Sequence, residues 1–454
     1  MKNYDLLIIG SGSAGIIPDA AINRGETVAV VEPKHWGGTC VNVGCIPTKM
    51  LIAAAEAADA VNHGDFYGLK AHIDHVDWDR VVGRVKDKLS PMWGGISDWY
   101  HDYDGLTPYD GYARFVSDRV VEVNGEQITG DKIIINAGAR PFVPPIPGID
   151  SVPFLTSDEA LYMETQPKSM VVIGGGYIGA ELGHYFSALG TELTVIDMAP
   201  EMLMIEDHEV RARFTESFKS RANTRVILGA SVKSVGGDDN SVSVTIEVDG
   251  KEQVVSAEKL LVATGRRPNT DTLNMMGTSI NCDTIQRITV NEYMETNVEN
   301  VWALGDVADT PPLKHVANME ARIVRHNLWA PKNERMQADY HGVPHAVFSS
   351  PQVGSVGETE DTLKDHGIPY TAVNRSYGST AWGWALGDDD SFAKLLVGED
   401  RKILGAHIIG PSASILIQEF ATPMRLGLTV DEMKEAIYTH PAASELVENA
   451  FLDA

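Results

Sequence analysis

The pattern that most constrains this chain is a strand, glycine loop, helix, strand and acid in succession, and it occurs twice. Leu6–Ile9 is a short apolar run. Gly10-Ser11-Gly12-Ser13-Ala14-Gly15 follows, and a second run, Thr27–Val31, ends in Glu32. In such a unit Gly10 permits a tight turn, Gly12 lets the backbone approach a pyrophosphate, and Gly15 lets the helix lie close to the sheet. The helix N-terminus then faces the phosphates, and Glu32 accepts hydrogen bonds from a ribose. The pattern returns as Met170–Ile173, Gly174-Gly175-Gly176-Tyr177-Ile178-Gly179, Leu193–Ile196 and Asp197. Two complete fingerprints predict two dinucleotides, each in its own βαβ unit. Pro18, near the end of the first helical turn, is expected to remove a backbone bond and bend that helix.

A length of 454 residues suits about three domains of roughly 150 residues each. The sequence has 43% hydrophobic and 22% charged residues, which is ordinary for a globular protein. No run of about 18 consecutive apolar residues is present, so no membrane span is expected. The opening Met1–Asp5 leads directly into the first strand, without the charged and apolar regions of a secretory signal. A cytoplasmic location is expected. The net charge of −26 argues against nucleic acid and anionic membranes as partners, because both need a basic face. Acid clusters such as Asp388-Asp389-Asp390 fit either simple solubility or a salt-rich habitat.

Two of the three cysteines, Cys40 and Cys45, lie in Gly37-Gly38-Thr39-Cys40-Val41-Asn42-Val43-Gly44-Cys45-Ile46-Pro47-Thr48-Lys49. A close thiol pair just after a dinucleotide loop points to two-electron redox chemistry rather than a structural framework. Only a thiolate attacks a disulfide, so a base or cation must be near. Tyr438-Thr439-His440-Pro441-Ala442-Ala443-Ser444-Glu445 offers a histidine that a carboxylate can orient, with a surface histidine beside a turn as the plainer alternative. Cys282 stands alone in a polar stretch and reads as structural. No histidine pair sits at metal-ligand spacing with acids, so no metal is expected.

Together these motifs resemble the FAD-dependent pyridine nucleotide–disulfide oxidoreductases, in that family's order and along the whole chain. Val301-Trp302-Ala303-Leu304-Gly305-Asp306 resembles the second FAD motif, in which the Asp306 position bonds the ribityl chain. Ile133–Ala139 and Leu260–Arg267 resemble the paired Ala-Thr-Gly segments, the first as a variant, Asn136-Ala137-Gly138. The resemblance implies an α/β fold: two Rossmann-like dinucleotide-binding domains and a C-terminal α+β dimerisation domain. The expected boundaries are 1–147 for the first part of the FAD domain, 148–275 for the NAD(P)H domain, 276–335 for the return to the FAD domain, and 336–454 for dimerisation.

The same resemblance implies roles. Cys40 matches the interchange thiol, and Cys45 the thiol that lies against the flavin in a charge-transfer complex. Lys49 matches the lysine near the flavin ring, Glu181 its ion-pair partner, and Tyr177 an aromatic lid that moves aside for nicotinamide. His440 and Glu445 match a motif that enters the active site of the other subunit of a homodimer. FAD and NADH or NADPH are the implied cofactors. The implied binding positions are Gly10, Gly12, Gly15, Glu32, Thr39, Gly138 and Asp306 for the first, and Gly174, Gly176, Tyr177, Gly179, Asp197 and Gly265 for the second.

Within the family, Leu313–Arg322, Tyr377–Ala385 and Leu446–Ala450 look particularly like mycothione reductases. A small thiol disulfide, mycothione foremost, is the implied substrate. Dihydrolipoamide dehydrogenase and glutathione reductase are the alternatives, and a non-enzymatic NAD(H)-sensing flavoprotein is a rival of another class. Trp382-Gly383-Trp384 is open to a reading as a strand of the C-terminal domain without a substrate role, and the sequence does not settle it. One departure concerns the nucleotide. Asp197-Met198-Ala199-Pro200-Glu201-Met202-Leu203-Met204 has two acids and no cation where NADPH-using members place arginines. Local chemistry therefore favours NADH or weak discrimination, with Arg211 or Arg213 on the following helix as the cations left to reach a 2′-phosphate.

Overall fold

The computed structural model describes residues 1–454. Its chain forms two compact units, and each gathers segments distant in sequence.

The first unit comprises residues 1–47, 83–142 and 266–340. Its sheet runs in the order Leu106–Asp110, Val28–Glu32, Lys2–Ile9, Glu126–Ile135, Val120–Val123 and Arg114–Ser117, with Val301–Ala303 also paired to Glu126–Ile135. The strands around Lys2–Ile9 are parallel, with Leu6 opposite Val28 and Ile9 opposite Ile135. Val28–Glu32 is buried along its whole length. That is why it reads as an unbroken apolar run rather than an alternating one. After the glycine loop the chain makes a 3₁₀ turn, Ser13–Ile16, and Pro18 becomes the first residue of a five-residue α-helix. The proline therefore divides the helix instead of bending it. At the first helical position its missing N–H costs no internal bond.

The second unit comprises residues 48–82, 143–265 and 341–454. Thr224–Ile227, Glu192–Ile196, Ser169–Ile173 and Lys259–Val262 form its parallel sheet in that order, beside a three-stranded antiparallel sheet of residues 231–257. The C-terminal part is a five-stranded antiparallel sheet, Pro344–Val347, Val353–Gly357, Ile403–Ile409, Phe392–Gly398 and Tyr370–Ser376. Helices Ala413–Leu426 and Glu445–Asp453 pack on it through Ile417, Phe420, Val447 and Phe451. The expected fold class is thus present: two Rossmann-like βαβ folds and a mixed α+β C-terminal part.

The structure decides the Trp-Gly-Trp segment, which the sequence leaves open. Ala381–Leu386 is a short helix, not a strand, capped by Thr380 accepting from Gly383 N at 3.1 Å. A Cβ on Gly383 would lie 1.8 Å from the Tyr377 carbonyl oxygen, so only glycine fits there. One helical stretch, Thr39–Asn62, is long and apolar enough to match a membrane span. Leu51, Ile52 and Ala55 within it are buried, and 28% of its apolar window lies inside the protein.

Candidate active site

In the first unit the thiol segment folds as a short helix, Thr39–Asn42, and the start of a long one, Cys45–Asn62. Gly44 closes the turn between them. A Cβ there would lie 3.0 Å from the Thr39 carbonyl oxygen and 3.3 Å from Cys40 Cα. The Asn42 amide braces the turn, donating to the carbonyls of Trp36 and Gly38 at 3.1 and 2.8 Å. Cys40 and Cys45 are both free thiols and share a hydrogen bond. The pair titrates as a unit. The bond from Cys45 brings Cys40 down to about 7, against its burial. The same bond, burial and the neighbouring charge push the second ionisation, at Cys45, well up. One proton thus serves two sulfurs, which is the state a dithiol needs to attack near neutral pH.

A cation that the sequence reading did not single out also favours the thiolate. Lys314 begins helix Lys314–Asn327, and its charge lowers the ionisation of both thiols. Its Nζ is held by Ser13 Oγ at 2.9 Å and Asn318 Oδ1 at 2.6 Å, both neutral oxygens. Its place as the first residue of the helix after the Gly305-Asp306 turn is the signal that could have marked it. Removing the charge raises the thiol midpoint, because the thiolate is the form that Lys314 stabilises. In Lys314→Met the pH at which iodoacetamide alkylates the reduced enzyme at half-maximal rate moves above about 7, so alkylation at pH 7 slows. An unmoved midpoint would assign the thiolate's stabilisation elsewhere.

The glycine loop lies beside this pair. Gly12 and Gly38 approach so closely that a Cβ on Gly38 would sit 2.7 Å from Gly12 Cα. Gly15 faces the Tyr100 hydroxyl, 2.8 Å from where its Cβ would be, rather than the sheet. Glu32, at the end of its strand, accepts from Ser11 N and Oγ at 3.0 and 2.8 Å and from the backbone of Lys34 and His35. Asn136, in the variant motif, turns its amide oxygen to Gly12 N and Ala14 N, 3.2 Å from each. Asp306 lies in a 3₁₀ turn, Gly305–Val307, and burial pushes its carboxyl up against the opposing charges of Arg266 and Lys314. Glu320, fully buried and also missed in the sequence, braces that turn by accepting from Gly305 N at 2.7 Å and Tyr340 Oη at 2.9 Å. Thr39 and Gly138 belong to the same unit.

In the second unit, Gly175, Gly176, Tyr177, Asp197, Glu201 and Ile205 line part of a cavity of 320 Å³. A Cβ on Gly179 would strike the Gly174 carbonyl oxygen at 2.0 Å, so helix Tyr177–Ala188 starts tight against its loop. Nothing lies within 4 Å of a Cβ on Gly176. Packing therefore does not require a glycine at this exposed position. Asp197 accepts from Gly175 N at 2.5 Å and Ala199 N at 2.8 Å. Gly265 lies beyond strand Lys259–Val262.

The unit also holds Lys49 and Glu181. The Lys49 ammonium lies 2.7 Å from the centre of the Phe348 ring, and Phe348 N donates to Glu181 at 2.8 Å. Burial pushes the Glu181 carboxyl up, and the charge of Lys49 opposes that shift. His440 Nδ1 meets Glu445 at 2.6 Å, and Ala442 N donates to the other carboxylate oxygen at 3.0 Å. The hydrogen bond from His440 holds Glu445 below the usual carboxylate range. It also fixes the ring with Nε2 outward, and His440 is 74% exposed.

Two further groups were considered in the sequence. Burial raises the Cys282 thiol, and Cys282 packs against an apolar cluster, as a structural residue does. The fold, unlike the sequence, brings Asp207, His208 and Glu360 within metal-ligand distance of one another. The cation on that cluster is the buried Lys394 ammonium, 2.9 Å from Asp207 and 2.5 Å from Glu360.

Residues 4–321 match the family model of the pyridine nucleotide-disulphide oxidoreductases, and residues 343–451 match that family's dimerisation domain. The chain belongs to this family. Mycothione reductase of Mycobacterium tuberculosis is 37% identical over 466 residues, covering 100% of this chain and 99% of that one. Dihydrolipoyl dehydrogenase of Bacillus subtilis is 34% identical over 98% of this chain and 95% of its own. Among solved structures, the HOCl-induced flavoprotein disulfide reductase RclA of Escherichia coli superposes with a TM-score of 0.86 at 28% identity, over 99% of each chain. Members of the family use FAD and NAD(P)H. The open Gly176 and the acid-ended strands at Glu32 and Asp197 fit two dinucleotides, and the thiol pair fits the flavin's electron acceptor.

Proposed function

We propose that this flavoprotein is an NADH-using reductase of a low-molecular-weight disulfide, mycothione foremost, acting as a homodimer in the cytoplasm. The observation that carries the nucleotide choice is the state of Arg211 and Arg213, the two cations the sequence left to reach a 2′-phosphate. Arg211 is tied to Glu201 at 2.6 Å and Asp361 at 3.0 Å, and Arg213 to Asp390 at 2.9 Å. A 2′-phosphate would have to displace those carboxylates while facing Asp197. A free ribose hydroxyl has no such conflict. Similarity to mycothione reductase along the whole chain supports the substrate, and the dimerisation domain supports the homodimer.

FAD, which the Gly10–Gly15 loop, Glu32 and Asp306 would hold, would supply a two-electron relay between the nicotinamide and the Cys40–Cys45 disulfide. In the reduced pair, the Cys40 thiolate attacks one sulfur of the substrate and the substrate S–S bond breaks. The departing thiolate takes a proton from His440 of the partner subunit, with Glu445 stabilising the ring. Cys45 then gives its proton to the now neutral His440 ring and attacks Cys40 in the mixed disulfide; the second thiolate takes that proton and leaves as a thiol, and the Cys40–Cys45 bond re-forms. Lys49, opposed in charge to the buried Glu181, would set a positive charge beside the flavin, as the resemblance implies.

The test is turnover of mycothione, glutathione disulfide and lipoamide, each with both nucleotides. Mycothione is expected to give the highest kcat/KM, and NADH to work at least as well as NADPH. A neutral residue at Asp197 combined with Met198→Arg shifts the kcat/KM ratio toward NADPH, because each hydrogen bond to a charged group contributes about 1.5–3 kcal/mol. A wild-type preference above about tenfold for NADPH, roughly 1.4 kcal/mol, would sink the nucleotide assignment. Faster turnover of lipoamide would replace the substrate assignment.

A further inference from the structure

The two glycine loops share one backbone contact and differ in one side chain. A Cβ on Gly10 would lie 2.2 Å from the carbonyl oxygen of Asn136, and a Cβ on Gly174 would lie 2.3 Å from that of Ala263. Both glycines have positive φ, 99° and 113°. Asn136 and Ala263 hold equivalent places, each just after the strand that pairs with the strand leading into its loop. Asparagine brings that place a buried amide, and alanine brings only a methyl group.

Register sets Asn136 where two segments meet. Strand Glu126–Ile135 lies between Lys2–Ile9 and Val301–Ala303, parallel to both, and Ile135 is opposite Ile9 on one side and Ala303 on the other. Asn136 therefore stands level with Gly10, which opens the loop, and with Leu304, which precedes the Gly305-Asp306 turn. The bonds from Asn136 N to Ile9 O at 2.7 Å and from Leu304 N to Ile135 O at 3.0 Å fix that level. This is the carboxyl end of the strands, where open α/β sheets bind ligands. Asn136 is only 7% exposed. Its amide oxygen, assigned by the donors it faces, accepts from Gly12 N and Ala14 N. The other end of the amide lies 3.5 Å from where a Cβ on Gly305 would be. One side chain thus touches both the glycine loop and the turn. Buried N–H groups need an acceptor, and this loop carries its own. A Cβ on Gly12 would lie 3.3 Å from that amide, whereas nothing lies within 4 Å of a Cβ on Gly176, its counterpart in the second loop.

We propose that Asn136 is a positioning residue, whose amide holds the Gly10–Gly15 loop and the Gly305-Asp306 turn in the shape that FAD requires. Ala263 offers the second loop no acceptor, which suits a nucleotide that leaves at every turnover rather than a resident one. The inference rests on the reading of the first loop and the turn as the seat of FAD. Without the amide only a fraction of molecules present the competent loop, and the apparent Kd for FAD rises as the inverse of that fraction.

The experiment is serial dilution of the FAD-loaded enzyme, with free FAD read from its fluorescence. Asn136→Leu keeps the size of the side chain and removes the acceptor, and it is expected to raise the Kd by about tenfold. Asn136→Ala leaves room for a water that accepts from the same N–H groups. Its rise should be smaller, about two- to threefold. Packing alone predicts the reverse order, because leucine fills the site and alanine leaves a cavity. The apparent Kd for NADH, from flavin reduction on rapid mixing at saturating FAD, should stay within about twofold, because the second loop is unaltered. Wild-type FAD affinity in Asn136→Leu, a larger loss in Asn136→Ala than in Asn136→Leu, or an equal loss of NADH binding overturns the proposal. If Asn136→Leu does not fold, Asn136→Thr and Asn136→Val replace it. The two have one shape and only threonine carries an acceptor, so threonine should bind FAD more tightly, and equal or reversed affinities overturn the proposal. Asp306→Ala tests the seat itself. If it also binds FAD as the wild type does, the reading of the loop and turn as the seat has failed. If it loses FAD while Asn136→Leu does not, only the role of Asn136 has failed.

Discussion

Cys40→Ser abolishes disulfide reduction, by a factor on the order of 10³ or more, as expected for loss of a nucleophile, yet it retains a long-wavelength thiolate–flavin band. Cys45→Ser loses the band. The thiol pair explains why the first variant keeps it. Cys45 is held protonated chiefly by its hydrogen bond to Cys40, with burial and the Cys40 charge adding to that. A serine at position 40 carries no competing thiolate, so Cys45 becomes the group that the Lys314 charge stabilises. In Cys45→Ser the remaining thiol loses the hydrogen bond that brings it down to about 7. Spectra of the two reduced variants, recorded between pH 6 and 9 on the FAD-loaded protein, decide the matter. A band in Cys45→Ser and none in Cys40→Ser would reverse the two roles.

His440→Ala slows reduction of the substrate disulfide by about 10²–10⁴, the usual contribution of a positioned acid–base group. Reduction of the flavin by NADH stays near wild type, because His440 takes no part in that step. The geometry supports a role in proton transfer over a structural one. Glu445 occupies Nδ1, Nε2 is free to exchange a proton, and the ring is mostly exposed. Removing an exposed ring leaves no cavity in the core, so the folded state should persist. Single-turnover measurement of the two half-reactions separates the outcomes. An equal loss in both would identify His440 as a structural support.

Local pattern made much of this protein legible. The glycine fingerprints and their terminal acids marked both βαβ units, because a dinucleotide loop needs its glycines and its acid within one short stretch of chain. The Cys40–Cys45 turn and the His440–Glu445 contact were legible for the same reason: each pair is only five residues apart. Pro18 was visible but misjudged, since its effect depends on whether the helix has already begun when the chain reaches it. For Trp382 and Trp384 the sequence leaves strand and helix both open. The cap by Thr380 and the tight contact at Gly383 decide for helix, and neither shows in β-propensity. Lys314 carried only the mark of its place after the Gly305-Asp306 turn, and Glu320 carried none. Lys314 lies roughly 270 residues from the thiols it polarises, and Asn136 acquires its role only when strands 2–9, 126–135 and 301–303 pair in one register. A charge at Lys314 or an amide at Asn136 is commonplace on paper. The sequence by itself determined which chemical groups are present and which close neighbours act together. Tertiary structure decided which distant charges face them, because electrostatic and hydrogen-bond energies depend on distance and burial, and separation along the chain records neither.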